Sequence, residues 1–279
     1  LDGKPLPHAE KLARGEQSQV QMIIDGSDPT VARTVFNSAQ LIAQIKSTEL
    51  RLASIEKAGM VKKIPGGIDL RPRVWYNPEM TSVKFNIPAL IGLVLQNITI
   101  ILTAFALVRE REKGTLEQLM VTPVKARELI IGKLIPYIII AFFDVAIVLA
   151  MGVFWFGVEI AGSLSLLLGL SAIFLLSALG LGMFISTVAK TQLQAMQATL
   201  LILLPSVLLS GFMFPREAMP KLIWLLGYLM PLTYFLKILR GIILKGLGFM
   251  QLWSDILPLI IFGIGIIALS SLRFRKRLD

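Results

Sequence analysis

Four long apolar runs constrain this chain more than any other feature: Pro88–Val108, Ile135–Phe156, Leu164–Val188 and Met196–Phe214. Crossing roughly 30 Å of hydrocarbon takes some 20 residues of α-helix. Inside lipid a backbone must satisfy its own hydrogen bonds, which a helix does. A shorter fifth run spans Ile256–Leu272. Apolar residues make up 55% of the chain and charged residues 16%, against about 45–50% and 25% in soluble domains, so a wholly soluble protein is excluded. The sequence reads as an α-helical integral membrane protein with five visible transmembrane helices.

Residues 1–87 have a different character, with 12 Lys or Arg, 9 Asp or Glu and no long apolar run. Val20–Ile24 alternates in polarity as a half-buried strand does. Asp28-Pro29 supplies a helix start, Asp28 as N-cap and Pro29 in the first turn. Val31, Val35, Ala39, Ile42, Ile45, Leu52 and Ile55 then recur at helical spacing up to Gly59. Ile68, Leu70, Val74 and Tyr76 alternate again, and Pro72 marks an edge strand. The expectation is a small α/β domain over 1–87, followed by a membrane domain over 88–279. Such a unit can bind a ligand or an accessory protein, or serve only as a folded packing surface.

Between the fourth and fifth runs lies Lys221–Leu244, apolar but broken by Pro231 and followed closely by Lys237 and Arg240. Counted as a span it gives six crossings; counted as a re-entrant hairpin it gives five. Basic residues favour the cytoplasmic side. The tail Arg273–Arg277 carries four Lys or Arg in five positions and the loop Arg109–Lys133 carries six. Five crossings put both inside with Lys190, although Arg216, Lys221, Lys237, Arg240 and Lys245 then lie outside. The C-terminus is therefore expected in the cytoplasm and residues 1–87 outside. An exported head needs an export signal or a span upstream of it. The chain opens at Leu1 without a signal-peptide pattern, so the expectation is a further helix before Leu1.

The chemistry available is narrow. With no Cys and one His, His8, disulfides, thiolate catalysis, zinc sites and Ser–His machinery lack raw material. No metal site is expected, and an integral membrane enzyme is a distant reading. The net charge of +10 fits an anionic membrane face better than nucleic acid in a chain this apolar.

The loop VREREKGTLEQLMVTPVKARELIIGKL (Val108–Leu134) is patterned beyond what a turn needs. Thr115 and Gln118 match a capping box, with Gly114 allowing the bend before it. Leu116, Leu119 and Met120 share one face of a short helix that Thr122-Pro123 ends, and a second helix starts near Lys125. A short amphipathic helix here can lie in the headgroups or dock in a soluble partner's groove. Arg109, Glu110, Arg111, Glu112 and Lys113 alternate in sign, which suits ion pairing with a protein more than attraction to lipid.

The run Glu110–Val124 (EREKGTLEQLMVTPV) resembles the signature loop of type-2 ABC exporter permeases, the transmembrane subunits of ATP-driven export systems. VWYNPE (Val74–Glu79), GFMFP (Gly211–Pro215) and MPLTYF (Met230–Phe235), with Arg240 and Trp253, agree in order and spacing. The resemblance implies a coupling helix, here Thr115–Met120, seated in a nucleotide-binding subunit, so that Glu110, Arg111, Glu112, Gly114, Thr115, Leu116, Glu117 and Gln118 form the coupling site. It implies a re-entrant element over Met219–Leu244, with an outer gate at Phe212, Phe214, Pro215, Pro231 and Tyr234. It implies six spans, the first of which has no counterpart in this sequence. It further implies an ABC ATPase partner and a second permease subunit, identical or related, in the lipid of a bacterial inner membrane. A periplasmic adaptor could dock on residues 1–87. No GxxxxGK[ST] motif occurs, so ATP and Mg²⁺ are expected in the partner, with no cofactor in this chain.

Polar residues inside the runs are the candidate substrate pathway: Gln96, Asn97, Asp144, Thr199 and Ser206. Intramembrane carboxylates are costly and face a bundle interior, where Asp144 can touch cargo or only hold helices together. Gln96, Asn97 and Thr99 fit interhelical hydrogen bonds as well as a pathway. Pro205 and Ser206 suggest a kink, and Gly169, Gly180 and Gly182 suggest close helix approach. Few charges line the spans, which favours an amphipathic or hydrophobic cargo, drug- or lipid-like. Two rivals stand beside an exporter permease. A channel or secondary carrier would work without an ATPase, and a sensor or scaffold would move nothing.

Overall fold

The computed structural model describes residues 18–58, 68–114 and 126–275. The described chain divides into two compact units, Leu1–Ser82 and Val83–Asp279.

In the first unit, β1 (Ser18–Asp25) and β2 (Ile68–Trp75) form a two-stranded sheet, joined through the long helix α1 (Pro29–Ala58). The strands run parallel, with Val20 opposite Leu70 and Met22 opposite Pro72. A crossover helix is what two parallel neighbours require. Pro72 is tolerated because a two-stranded sheet has only edges. Asp28 caps α1: its Oδ1 accepts from the backbone N–H of Thr30 at 2.9 Å and of Val31 at 3.2 Å. Both partners lie in the first turn, where helical amides lack acceptors. After β2, Asn77 ties the chain to Thr81, donating to its carbonyl at 2.9 Å and accepting from its N–H at 3.2 Å. The end of the Ile55–Gly59 pattern lies outside the described residues.

The second unit is helical: α2 (Ser82–Glu112), α3 (Ala126–Phe154), α4 (Leu164–Val188), α5 (Gln192–Leu209), the short α6 (Lys221–Leu226), α7 (Pro231–Lys245) and α8 (Phe249–Arg275). Among the described residues five helices are long and apolar enough to cross a membrane: α2, α3, α4, α5 and α8. The stretch Lys221–Leu229 meets α7 at 89°. The fourth helix, α5, occupies Gln192–Leu209 rather than 196–214. It starts earlier because Thr191 caps it, its side chain accepting from the Gln194 N–H. It stops earlier because Gly211, at φ +86°, turns the chain after Ser210.

Helix α7 is the centre of the core. Leu232, Phe235, Leu236, Leu239 and Ile242 on it are all but inaccessible and pack with Leu95 of α2, Val145 of α3, Leu167 and Phe174 of α4 and Ile256 of α8. Phe174 and Phe235 stack with ring centres 3.9 Å apart. A second core, nearer the α2 C-terminus, joins Ile100, Ala104 and Val108 to Ala178, Leu181, Ile185 and Ala195. Lipid tails are as apolar as leucine, so helices in a bilayer associate through tight packing and small residues. Gly180 and Gly182 supply that closeness. A Cβ on Gly182 would meet the Thr103 Cβ at 2.7 Å, and one on Gly180 would meet Ile266 at 2.5 Å. Gly169 differs, since a Cβ there meets nothing within 4 Å.

Candidate functional site

The C-terminal turn of α2 holds the described part of the loop candidates. Gly114 takes a left-handed conformation, φ +68°, and leads the chain away from the helix. Thr115, Leu116, Glu117 and Gln118 lie outside the described residues. Glu110 is half-buried on the last turn. Arg111 and Glu112 point at the connection between α4 and α5. Arg111 Nη1 donates to the carbonyls of Ser186 at 3.0 Å and Ala189 at 2.8 Å, where the end of α4 leaves acceptors unsatisfied and its dipole favours a cation. Glu112 does the converse at the start of α5. Its carboxylate accepts from the Gln192 backbone N–H at 2.7 Å and from the Gln192 side-chain amide at 2.5 Å. Successive residues of opposite charge thus cap the end of one span and the beginning of the next.

Within the bundle, Gln96 Nε2 of α2 donates to Ser206 Oγ of α5 at 3.0 Å, both residues 1% exposed or less. Ser206 Oγ in turn lies 3.6 Å from the sulfur of Met230. Two of the five pathway candidates are therefore brought together, in a bond between helices. Thr199 donates to Ala195 O at 2.9 Å within its own helix. Asn97 and Asp144 are half-buried and take no part in that bond. Gln96 Oε1, Thr99 Oγ1 and Asp144 Oδ2 are buried without a hydrogen-bond partner among the described residues.

At the far end of α5 the gate candidates separate. Phe212 packs against the core around α7, whereas Phe214 is exposed and Pro215 half-buried. Pro231 begins α7 and Tyr234 lies on its first turn, donating its hydroxyl to the Tyr228 carbonyl at 3.0 Å. These two are buried. The group that organises this corner is Arg216, which sequence reading treated only as a basic residue. It is 6% exposed. Its guanidinium lies 4.3 Å from the Tyr228 ring centre and 5.6 Å from that of Trp224, and Nη2 donates to the Trp224 carbonyl at 2.8 Å. Arg240 on α7 completes the corner by donating to Gly211 O at 3.0 Å while stacking on Phe85 at 3.6 Å. Lys237 pairs with Asp255 of α8 at 3.3 Å. An arginine just past an apolar run, with Trp224 and Tyr228 following at 8 and 12 positions, was the available signal. Among the described residues no group of three or more His, Cys, Asp or Glu gathers as a metal site.

Five helices long and apolar enough to cross a membrane, together with a helix pair bent by 89°, define a multi-pass helical membrane protein. Residues 6–272 match the model of the family described as ABC-2 family transporter protein. Among relatives, the chain is 35% identical over 277 residues to the probable multidrug ABC transporter permease YbhS of Escherichia coli K12, covering 99% of this chain and 72% of that protein. It is 33% identical to the probable multidrug ABC transporter permease YbhR of the same organism, covering 92% and 68%. It is also 33% identical to the E. coli inner membrane transport permease YhhJ, covering 75% and 56%. The chain belongs to the ABC-2 transporter family. It is the permease subunit of an ABC exporter, a transport component rather than an enzyme, and ATP hydrolysis resides in a separate subunit. Membership implies an ABC ATPase partner and a dimeric permease.

Proposed function

We propose that this permease exports amphipathic or hydrophobic organic molecules, drug- or lipid-like, across a bacterial inner membrane. The observation that carries the cargo class is the make-up of the span interiors: among the described residues the fully buried polar side chains there, Gln96, Thr99, Thr103, Ser171, Ser177, Thr199 and Ser206, are uncharged, and the half-buried carboxyl of Asp144 on α3 is the mid-span exception. A path for small ions or sugars would need charged or densely polar walls. The multidrug permease names of YbhS and YbhR agree with that class.

In this reading residues 1–87 face the outside, where a periplasmic adaptor can dock, and the loop 109–133 and the C-terminus face the cytoplasm. Arg109 and Arg111 in the last turn of α2 accord with the preference of basic residues for that side. The segment 115–120 is the coupling helix, set in an ATPase subunit that binds ATP and Mg²⁺. The bent pair Lys221–Leu229 and α7 is a re-entrant outer element, with Phe212, Phe214, Pro215, Pro231 and Tyr234 around its gate. Two such permeases, identical or related, enclose the pathway in the surrounding lipid.

Reconstitution with the ATPase subunit in proteoliposomes tests the reading. ATP-dependent movement of a fluorescent amphiphile such as ethidium or a labelled phospholipid is expected, and its absence for both, with a sugar or ion moved instead, overturns the cargo class. Thr115→Cys should be labelled by a membrane-impermeant maleimide only after the inner face is opened; labelling from outside intact cells overturns the orientation.

A further inference from the structure

We propose that Arg111 and Glu112 are positioning residues that bind the root of the coupling loop to the α4–α5 turn, so that a displacement of the loop is delivered to α5. The proposal rests on the coupling reading above and goes beyond it, because it moves these two side chains from the ATPase contact to a contact within the permease. Four hydrogen bonds carry it: Arg111 to Ser186 O and Ala189 O, and Glu112 to the backbone and side-chain amides of Gln192, all between 2.5 and 3.0 Å. Each involves an ionised group, the strong class of such bonds, and the three to backbone groups are aimed at helix ends of complementary dipole. The charges of both side chains are thus satisfied within the permease, with Arg111 half-buried and Glu112 exposed.

The consequence is mechanical. Helices α2 and α5 are joined at two levels, by Glu112–Gln192 near their inner ends and by Gln96–Ser206 deeper in the bundle. The sixteen steps from Gln96 to Glu112 span about 24 Å of helix at 1.5 Å per residue. In this proposal the two fastenings make α2 and α5 move together. The loop begins at Lys113, one residue beyond the inner fastening, and at Gly114, in the left-handed conformation, the chain leaves the helix. Movement of the loop therefore reaches α5, and through α5 the Gly211 corner, without being lost in a flexible root.

The test uses the whole permease with its ATPase subunit in proteoliposomes, reading cargo moved per ATP hydrolysed. The chain has no native cysteine, so Lys113→Cys and Lys190→Cys, both at exposed positions, accept spin labels that report the distance between root and turn. Glu112→Ala should broaden that distance distribution and lower cargo per ATP about fivefold or more, the lower end of ordinary coupling between sites. The exchange Glu112→Gln with Gln192→Glu should restore both. The new amide oxygen accepts from the 192 N–H and its NH₂ donates to the new carboxylate, which also suits the start of α5. Wild-type cargo per ATP in Glu112→Ala, or failure of the exchange to restore it, overturns the proposal. Gly114→Pro and Glu117→Arg separate the two readings. If these uncouple while Glu112→Ala does not, only the positioning role fails; if neither they nor Glu112→Ala uncouple, the coupling reading itself fails.

Discussion

Gln96 on α2 and Ser206 on α5, 110 residues apart in sequence, meet through a single 3.0 Å hydrogen bond in the buried middle of the bundle. Both were candidates for a substrate pathway, and the geometry gives them a structural use as well. Bonds of this kind between membrane helices are worth on average about 0.6 kcal/mol. The partner left behind when one side is removed can cost more than the bond itself. Ser206→Ala is therefore expected to lower the thermal midpoint in detergent. Gln96→Leu combined with Ser206→Ala should recover part of that loss, because no donor is left orphaned. A double-mutant cycle in which the two changes simply add would show that the bond contributes nothing.

Arg216 makes a second prediction. The side chain is sandwiched at the end of α5, stacked on Tyr228 and bonded to the Trp224 carbonyl. A desolvated cation over an aromatic face is worth about 2 kcal/mol, and a lysine reproduces neither the planar stacking nor the forked donors. Arg216→Lys should consequently lose nearly as much thermal stability as Arg216→Ala, even though it keeps the charge. Tryptophan emission should shift in both variants as Trp224 is released. A lysine variant indistinguishable from wild type would mean that charge alone holds the corner.

How much of this was written in the sequence depends on the range of the interaction. Local chemistry was legible. Asp28-Pro29 announced the start of α1, and alternation announced both strands. The chain also spelled out five apolar helices by their length. The parallel pairing of β1 with β2 was not legible, since alternation says nothing of direction. The start of α5 was obscured because Gln192 and Gln194 look like loop residues until Glu112, 80 positions away, is seen to accept from Gln192. For the same reason Arg111 and Glu112 read as residues offered to a partner, and their hydrogen bonds to the ends of α4 and α5 were not legible. The centrality of α7 was hidden by its basic residues, among them Lys237 and Arg240, which are held by tertiary contacts that no spacing reveals.

Asp144 allows a third prediction, because it distinguishes cargo contact from helix adhesion. Its Oδ2 is buried and has no hydrogen-bond partner among the described residues. A carboxylate oxygen in that condition makes the group costly to keep charged. Asp144→Asn keeps the shape and is expected to leave the thermal midpoint unchanged or higher. If the group serves the pathway, export of cationic amphiphiles should fall relative to neutral ones. Parallel uptake assays with an ethidium-like cation and an uncharged dye check this, and a large loss of stability in the asparagine variant would assign the residue to helix adhesion instead.

The close contact between α2 and α4 gives the last prediction, and it comes with an internal control on the same helix. A methyl group on Gly182 would lie 2.9 Å from the backbone carbonyl oxygen of Ile100 and 2.7 Å from the Cβ of Thr103. Neither atom is the flexible tip of a side chain, so α2 and α4 would have to separate. Overpacking of this kind costs about 1–3 kcal/mol. On Gly169 the same methyl meets nothing within 4 Å, and alanine is the better helix former by about 1 kcal/mol. Gly182→Ala should lower the thermal midpoint and, because α2 carries Arg111 and Glu112 at its C-terminal end, also reduce cargo moved per ATP. Gly169→Ala should leave both unchanged or slightly raise stability. Equal behaviour of the two alanine variants would show that α2 and α4 are not held at the separation described here.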